Sequence, residues 1–331
     1  METPRTEKAL IAATRTYATE DPVRSWWSFL STVGLLILTV MMAARTPIAT
    51  LGWLARGASS ALAALLTVRT FILYHDHLHG ALLRNSAVAR FVMWVYGVIL
   101  MTPPTVWRET HNYHHANTAK IIGSHVGSYM MVTTGMWEKM NRRQRFEYKV
   151  IRHPLTILMA YFTLFMFGMG ISPFLRSPKK HWASAASVAL NWTATVAIIW
   201  KFGFVTWLFA MYLPLALAMA MGGYLFYAQH NFPDIHVFAR EKWTYAESAL
   251  ESSSYMKMGR IMAWFTGNIG YHHVHHLNQM VPFYRLPEAM DGLPELQNPH
   301  ITSWRLRDMI ACFRLKLWDP QQGKMVGYPP A

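Results

Sequence analysis

Residues 26–44 run for nineteen positions without a charge, and residues 204–228 run for twenty-five. At 1.5 Å of rise per residue, a helix of about twenty residues matches the hydrocarbon core of a bilayer. Two more blocks share this character: residues 57–74, eighteen positions with one charge at Arg69, and residues 183–200, eighteen positions with none. A backbone crossing lipid must satisfy every N–H and C=O internally, so such blocks fold as helices. Only 15% of the chain is charged, against roughly 25% in an ordinary soluble domain. The sequence therefore predicts an all-α integral membrane protein of about four transmembrane helices.

Within these spans two residues invite comment. An arginine at a helix centre costs about 2.5–3.5 kcal/mol on insertion scales, so Arg69 is expected near a helix end, snorkelling to the surface. Pro214 removes a hydrogen bond and should kink the last span. Two further apolar stretches are ambiguous: residues 91–106, broken by Pro103-Pro104, and residues 154–175, which contain Gly168, Gly170 and Pro173. We read 154–175 as an in-plane or re-entrant segment. An even number of spans then separates consecutive histidine clusters, and Arg176, Lys179 and Lys180 fall on the cytosolic side, as the positive-inside rule prefers. Arg45, Arg56 and Lys201 are then the basic residues left outside.

The net charge of +14 is thus mostly cytosolic and includes the run Arg142, Arg143, Arg145, Lys149 and Arg152. Such a run suits anionic lipid headgroups, or the docking of an acidic electron-transfer protein. No soluble domain is left over to bind nucleic acid. Residues 1–25 read as a cytosolic N-terminal segment without the shape of a cleavable signal. Residues 26–310 form the main membrane domain, and 311–331 a tail. Residues 291–299 look like a turn-rich connection into an amphipathic helix around residues 301–318.

Ten of the sixteen histidines stand in three short stretches: HDHLH at 75–79, HNYHH at 111–115 and HHVHH at 272–276. Positions i, i+3 and i+4 share a helix face. That selects His75 and His79, then His111, His114 and His115, then His272, His275 and His276. His77 is turned about 200° from His75, and His273 about 100° from His272, so both should point away. A neutral imidazole binds iron, zinc, copper or nickel, and eight of them imply at least two metals. The single cysteine, Cys312, excludes an intramolecular disulfide, a cysteine-held zinc site and an iron–sulfur cluster. Neither the Glu-x-x-His repeats of soluble di-iron bundles nor the H-E-x-x-H of zinc proteases is present.

These residues resemble the membrane fatty acid desaturases, especially the acyl-lipid branch common in bacteria. The likeness runs through HDHLHG at 75–80, WRETHNYHHANT at 107–118, FYAQHNF at 226–232, TGNIGYHHVHHL at 266–277 and VPFYRLPEAM at 281–290. It implies a cytosolic helical cap carrying a di-iron site, two iron ions as cofactor and O2 as co-substrate. It also implies a ninth ligand, His230, with Asn268 as a polar residue near the metals. Asp76 is a candidate acceptor for a ligand N–H. The chain departs from the family pattern at residues 120–125 (KIIGSH), near the expected substrate entrance. No His-Pro-Gly-Gly haem motif occurs, so electrons are expected from a separate ferredoxin-like or cytochrome b5-like protein.

The reaction expected from the resemblance is O2-dependent insertion of a cis double bond into a fatty acyl chain carried on a membrane lipid, in a bacterial inner membrane with the site facing the cytosol. The acyl chain would lie in an apolar tunnel beneath the metals. A hydroxylase or ketolase of a lipid or terpenoid would use the same site. A metal transporter would instead want ligands along the span interiors, which carry none.

Overall fold

The computed structural model describes residues 5–47, 51–123 and 126–330, so Ser124 and His125 of the divergent 120–125 stretch lie outside the described residues. A short helix α1 (Glu7–Thr14) precedes the first span, α2 (Pro22–Arg45). Asp21 caps α2 by accepting from the amides of Val23 and Arg24 at 3.0 and 3.1 Å, and Pro22 opens its first turn. Helix α3 (Gly52–His79) folds back against α2 and stops at Gly80, whose φ of 79° supplies a left-handed cap directly after a histidine. Helices α4 (Ala87–Ile99) and α5 (Pro104–Asn117) follow, bent by 87° where Pro103 and Pro104 break the chain.

Helix α6 (Thr134–Lys139) precedes α7 (Arg142–Ile151), which carries the basic run up to its C-cap Arg152. The ambiguous stretch then divides into α8 (Pro154–Leu158), a π-helical segment (Tyr161–Ile171) and α9 (Ser172–Arg176). No single regular α-helix of spanning length forms there, because the π-helical segment takes the middle eleven residues. A Cβ at Gly170 would come within 2.3 Å of Val188, so this position must stay bare for the segment to lie against α10 (Pro178–Phe202). The last span begins as α11 (Phe204–Trp207), loosens into a π segment (Leu208–Tyr212) ahead of Pro214, and continues as α12 (Leu213–Gln229). The irregularity sits just before Pro214, whose missing N–H leaves the preceding turn short of a bond.

Four helices are long and apolar enough to cross a membrane: Pro22–Arg45, Gly52–His79, Pro178–Phe202 and Phe204–Gln229. Of these, α3 is the central one, 67% buried over its most apolar window against 22% for each of the others. Large apolar side chains such as Leu30, Ile37, Trp192 and Val196 point outward from α2 and α10, as a lipid-facing surface requires.

Above the spans sits a cap of short elements: α13 (Tyr245–Glu251), β1 (Tyr255–Lys257), α14 (Arg260–Phe265), α15 (His272–Leu277), α16 (Leu286–Gly292), β2 (Ile301–Ser303), α17 (Leu306–Arg314), β3 (Leu317–Asp319) and β4 (Lys324–Val326). Strand β1 pairs in parallel with β2, and β3 pairs antiparallel with β4. The helix expected over 301–318 is therefore confined to Leu306–Arg314, because both of its flanks are drawn into strands. The connection at 291–299 is less exposed than expected, with Leu293 and Leu296 both buried.

Two charge placements also differ from expectation. Arg69 does not snorkel from a helix end. It is buried ten residues before the end of α3, with Nε donating to Thr32 Oγ1 (3.1 Å), Nη1 donating to the Trp264 carbonyl, and the guanidinium 4.0 Å from the centre of the Trp264 ring. Helix α2 brings one acceptor to it, Thr32, and α14 (Arg260–Phe265) the other, the Trp264 carbonyl. Arg152 leaves the basic surface and is buried, donating to the Met130 carbonyl, Tyr227 Oη and Asn231 Oδ1.

Candidate metal centre

The ends of α3 and α12, the whole of α5 and the short α15 meet at one place under the cap. All nine histidines singled out above lie there, and their ligand atoms sort into two groups. His75, His79, His111, His115 and His275 form one, and His114, His230, His272 and His276 the other, with the atoms of each group within 4.8 Å of one another.

The division follows from helix geometry. With 100° per residue, His111 and His115 are about 40° apart on α5, while His114 lies about 60° to the other side of His111. The i, i+4 pair therefore points at one group and the intervening residue at the other. Helix α15 repeats the pattern with the groups exchanged: His272 and His276 face the second group, and His275 the first. His75 and His79, also four apart, stay together.

Neighbouring Nε2 atoms approach closely. His75 to His111 is 3.1 Å, His111 to His115 is 3.0 Å, and His115 to His275 is 3.1 Å. In the second group His114 to His230 is 3.1 Å, His230 to His272 is 2.9 Å, and His272 to His276 is 3.1 Å. Imidazole nitrogens held about 2.1 Å from a common ion at right angles sit about 3.0 Å apart, so the donor set fits a metal in each group. Both nitrogens of His79 are buried without a protein partner among the described residues, which would be costly unless an ion takes one of them.

Other atoms fix the rings. Asp76 Oδ1 accepts from His75 Nδ1 at 2.9 Å, and its Oδ2 accepts from the Phe283 amide at 2.7 Å. His230 Nδ1 donates to the Ser252 carbonyl at 2.9 Å. Since a carbonyl only accepts, that bond leaves His230 Nε2 as the bare lone pair, aimed at its group. Burial pushes the imidazoles of His272, His275 and His276 well below their ordinary range and that of His230 down to about 4, so all are neutral at pH 7. Neutral imidazole is the form that binds a metal.

His77 and His273 are turned away, as their spacing predicts. His77 Nδ1 donates to the Leu82 carbonyl at 3.0 Å and His273 Nε2 to the Leu296 carbonyl at 3.1 Å. Asn268 makes no hydrogen bond to the imidazoles among the described residues. It adopts a positive φ of 53° and donates to the Phe283 carbonyl at 3.2 Å, one residue removed from Asp76.

Sequence reasoning missed three contributors. Trp107 stacks on His111 with ring centres 4.2 Å apart, and its position four residues earlier on the same helix was a usable signal. Ser252 and Phe283 act through main-chain atoms, for which side-chain identity gives no sign.

The comparisons agree with this geometry. The sequence model of the fatty acid desaturase family matches residues 51–307. The chain is 31% identical over 285 residues to a fatty acid desaturase of Bacillus subtilis (strain 168), covering 82% of this chain and 77% of that one. It is 24% identical over 262 residues to the sn-1 oleoyl-lipid 12-desaturase of Synechocystis sp. (strain ATCC 27184 / PCC 6803 / Kazusa), covering 76% and 73%. A third relative, the sn-1 acyl-lipid omega-3 desaturase (ferredoxin) of Nostoc sp. (strain 36), is 23% identical over 242 residues, covering 67% and 63%. With the match extending from the first histidine cluster through the last, this chain belongs to the fatty acid desaturase family, whose members are oxidoreductases.

Proposed function

We propose that this protein introduces a cis double bond into a fatty acyl chain carried on a membrane lipid, using O2 and two irons held by the nine histidines. The observation that carries this reading is the pair of buried all-imidazole groups. His75, His79, His111, His115 and His275 would hold one iron, and His114, His230, His272 and His276 the other.

No side-chain base reaches the acidity of an unactivated methylene, so the chemistry must come from a redox centre. Bound iron would supply the oxidant, and the overall change balances as one acyl –CH2–CH2– plus O2, two electrons and two protons giving –CH=CH– and two waters. The protein's share is positioning and exclusion of water. The Ser252 carbonyl and Asp76 hold the protons on Nδ1 of His230 and His75, so Nε2 stays free on each. Trp107 closes one side of His111. A cavity of about 40 Å3 reaches His114 and His230, room enough for molecules of water's size.

Electrons would arrive from a ferredoxin-type protein, as the printed name of the Nostoc relative indicates for that enzyme. The exposed Arg142, Arg143 and Lys149 on α7 suit an acidic donor. We place the protein in a bacterial inner membrane, from the desaturase branch it resembles, with the histidines facing the cytosol on the distribution of basic residues.

Hydroxylation would use the same centre, and the relatives' names favour desaturation. The test is gas chromatography–mass spectrometry of fatty acids from cells expressing the chain with a reductant system. A new acid lighter by two hydrogens is expected. A product heavier by one oxygen would make the protein a hydroxylase, and His114→Ala retaining full product would remove the metal assignment.

A further inference from the structure

A second cavity, of about 420 Å3, lies between α2, α14 and the loop that leads into α15. Two arginines line it, Arg69 from α3 and Arg260 from the start of α14, together with Tyr255, Tyr271 and Tyr284. Arg69 spends two of its N–H groups on Thr32 and the Trp264 carbonyl. Among the described residues no carboxylate stands within ion-pair distance of Arg69 or Arg260. Glu288, one helical turn after Tyr284 in the chain, is already engaged by Arg24 and Arg285. A buried guanidinium without a counter-ion, lining open space that the exposed Arg260 also lines, is a site that favours an anion.

The rim tells what kind of anion. Trp264 of the wall is exposed, as are Ile261, next to Arg260, and Trp27, next to Ser28 of the wall, and tryptophans mark the edge of a bilayer. A small soluble anion needs no such greasy surround, whereas the head of an amphiphile arrives with its tails in the lipid.

The cavity is also tied to the metal centre. Phe283, in its wall, gives its amide to Asp76 and thereby holds His75, and Tyr271 directly precedes His272.

Resting on the desaturase reading, we infer that this cavity is the oxyanion site for the head of the lipid-borne substrate, with Arg69 and Arg260 as its two cationic contacts. The oxyanion of a lipid-borne substrate is a phospholipid phosphodiester, and a free fatty carboxylate is the other source, which the test separates. Both present the planar or tetrahedral oxygens that guanidinium N–H groups match.

Native mass spectrometry of the purified full-length protein in maltoside micelles tests this, with added phosphatidylglycerol, oleate or uncharged diacylglycerol as probes. Binding is read on protein without metal as well as with it, so it does not depend on turnover. Phosphatidylglycerol is expected to bind more tightly than diacylglycerol, and Arg260→Gln to weaken it about tenfold or more, while Arg260→Lys keeps most of it. Arg69→Gln should act the same way; since Arg69 is buried, Arg69→Lys and a helix-content melt accompany it. If oleate is the probe whose binding follows the two arginines, the site stands and its ligand is the free acid. Diacylglycerol binding as tightly as phosphatidylglycerol, or both glutamine variants binding like the parent, would overturn the inference. A parent chain that makes no double bond but keeps arginine-dependent lipid binding would overturn the desaturase reading and leave the site.

Discussion

His114 and His115 are neighbours in the chain yet serve different groups: His114 Nε2 lies 3.1 Å from that of His230, and His115 Nε2 lies 3.1 Å from that of His275. The first group has five histidines and the second four, so the loss of one ligand is felt unequally. His114→Ala should strip more metal than His115→Ala, and both should lower double-bond formation at least a hundredfold, beyond the 10–100-fold typical of residues behind the ligands. Elemental analysis of the purified variants beside product analysis checks this, and equal metal loss in the two would contradict the division.

Asp76 has one oxygen on His75 and the other on the Phe283 amide. Asp76→Asn keeps the shape but offers only one accepting oxygen for two donors. Metal retention against a chelator is expected to fall 10–100-fold with the helical fold unchanged. An unaltered chelator titration would show that His75 needs no such support.

His273 belongs to a histidine cluster but turns to the Leu296 carbonyl. His273→Ala should leave metal content and turnover per loaded protein within about twofold, while costing about 1–3 kcal/mol of stability through the unpaired carbonyl. A melt and a metal assay on the same sample separate the two effects. Loss of metal at unchanged stability would place His273 among the ligands.

Lys316 donates to the Arg152 carbonyl at 2.6 Å. Burial, with Arg152 nearby, pulls its ammonium down to about 8 from the ordinary 10.5. Below about 8 the folded and unfolded chains both hold this proton. Between there and 10.5 the unfolded chain holds a proton that the folded one has released, so stability gains from this group as pH rises. Lys316→Met removes that gain. Across this range the parent's melting temperature should rise relative to the variant's as pH increases, and parallel curves would rule the effect out.

Much of this was legible in the sequence, for physical reasons. Residues 26–44 and 204–228 announce their helices because lipid leaves an uncharged run few other structures. The histidine spacing announces a shared site because a helix repeats its face every three to four residues. The split into groups is contained in that same spacing, as the roughly 40° and 60° offsets show, but becomes visible only once the partner helices are in place. Arg69 was misplaced because its acceptors come from Trp264 and Thr32, on other elements. Strand β2, before α17, was missed because Tyr255–Lys257 and Ile301–Ser303 pair across a long stretch of chain, which local pattern does not encode. His230 carries no signal of its own: it is one histidine at the end of a span, and only the fold shows what it faces.

The way the second group is spread along the chain sets an order of assembly. His114 is made early, but its companions His230, His272 and His276 all follow the last apolar span. The N-terminal segment waits as well, since Thr14 is bonded to Asn278 and Arg5 to Glu295. During synthesis this half of the centre therefore has a single ligand until the final helix has entered the bilayer and the cap has closed over it. On the proposed reading, a nascent chain would be unable to carry both metals, and oxidative chemistry would begin only after membrane insertion is finished.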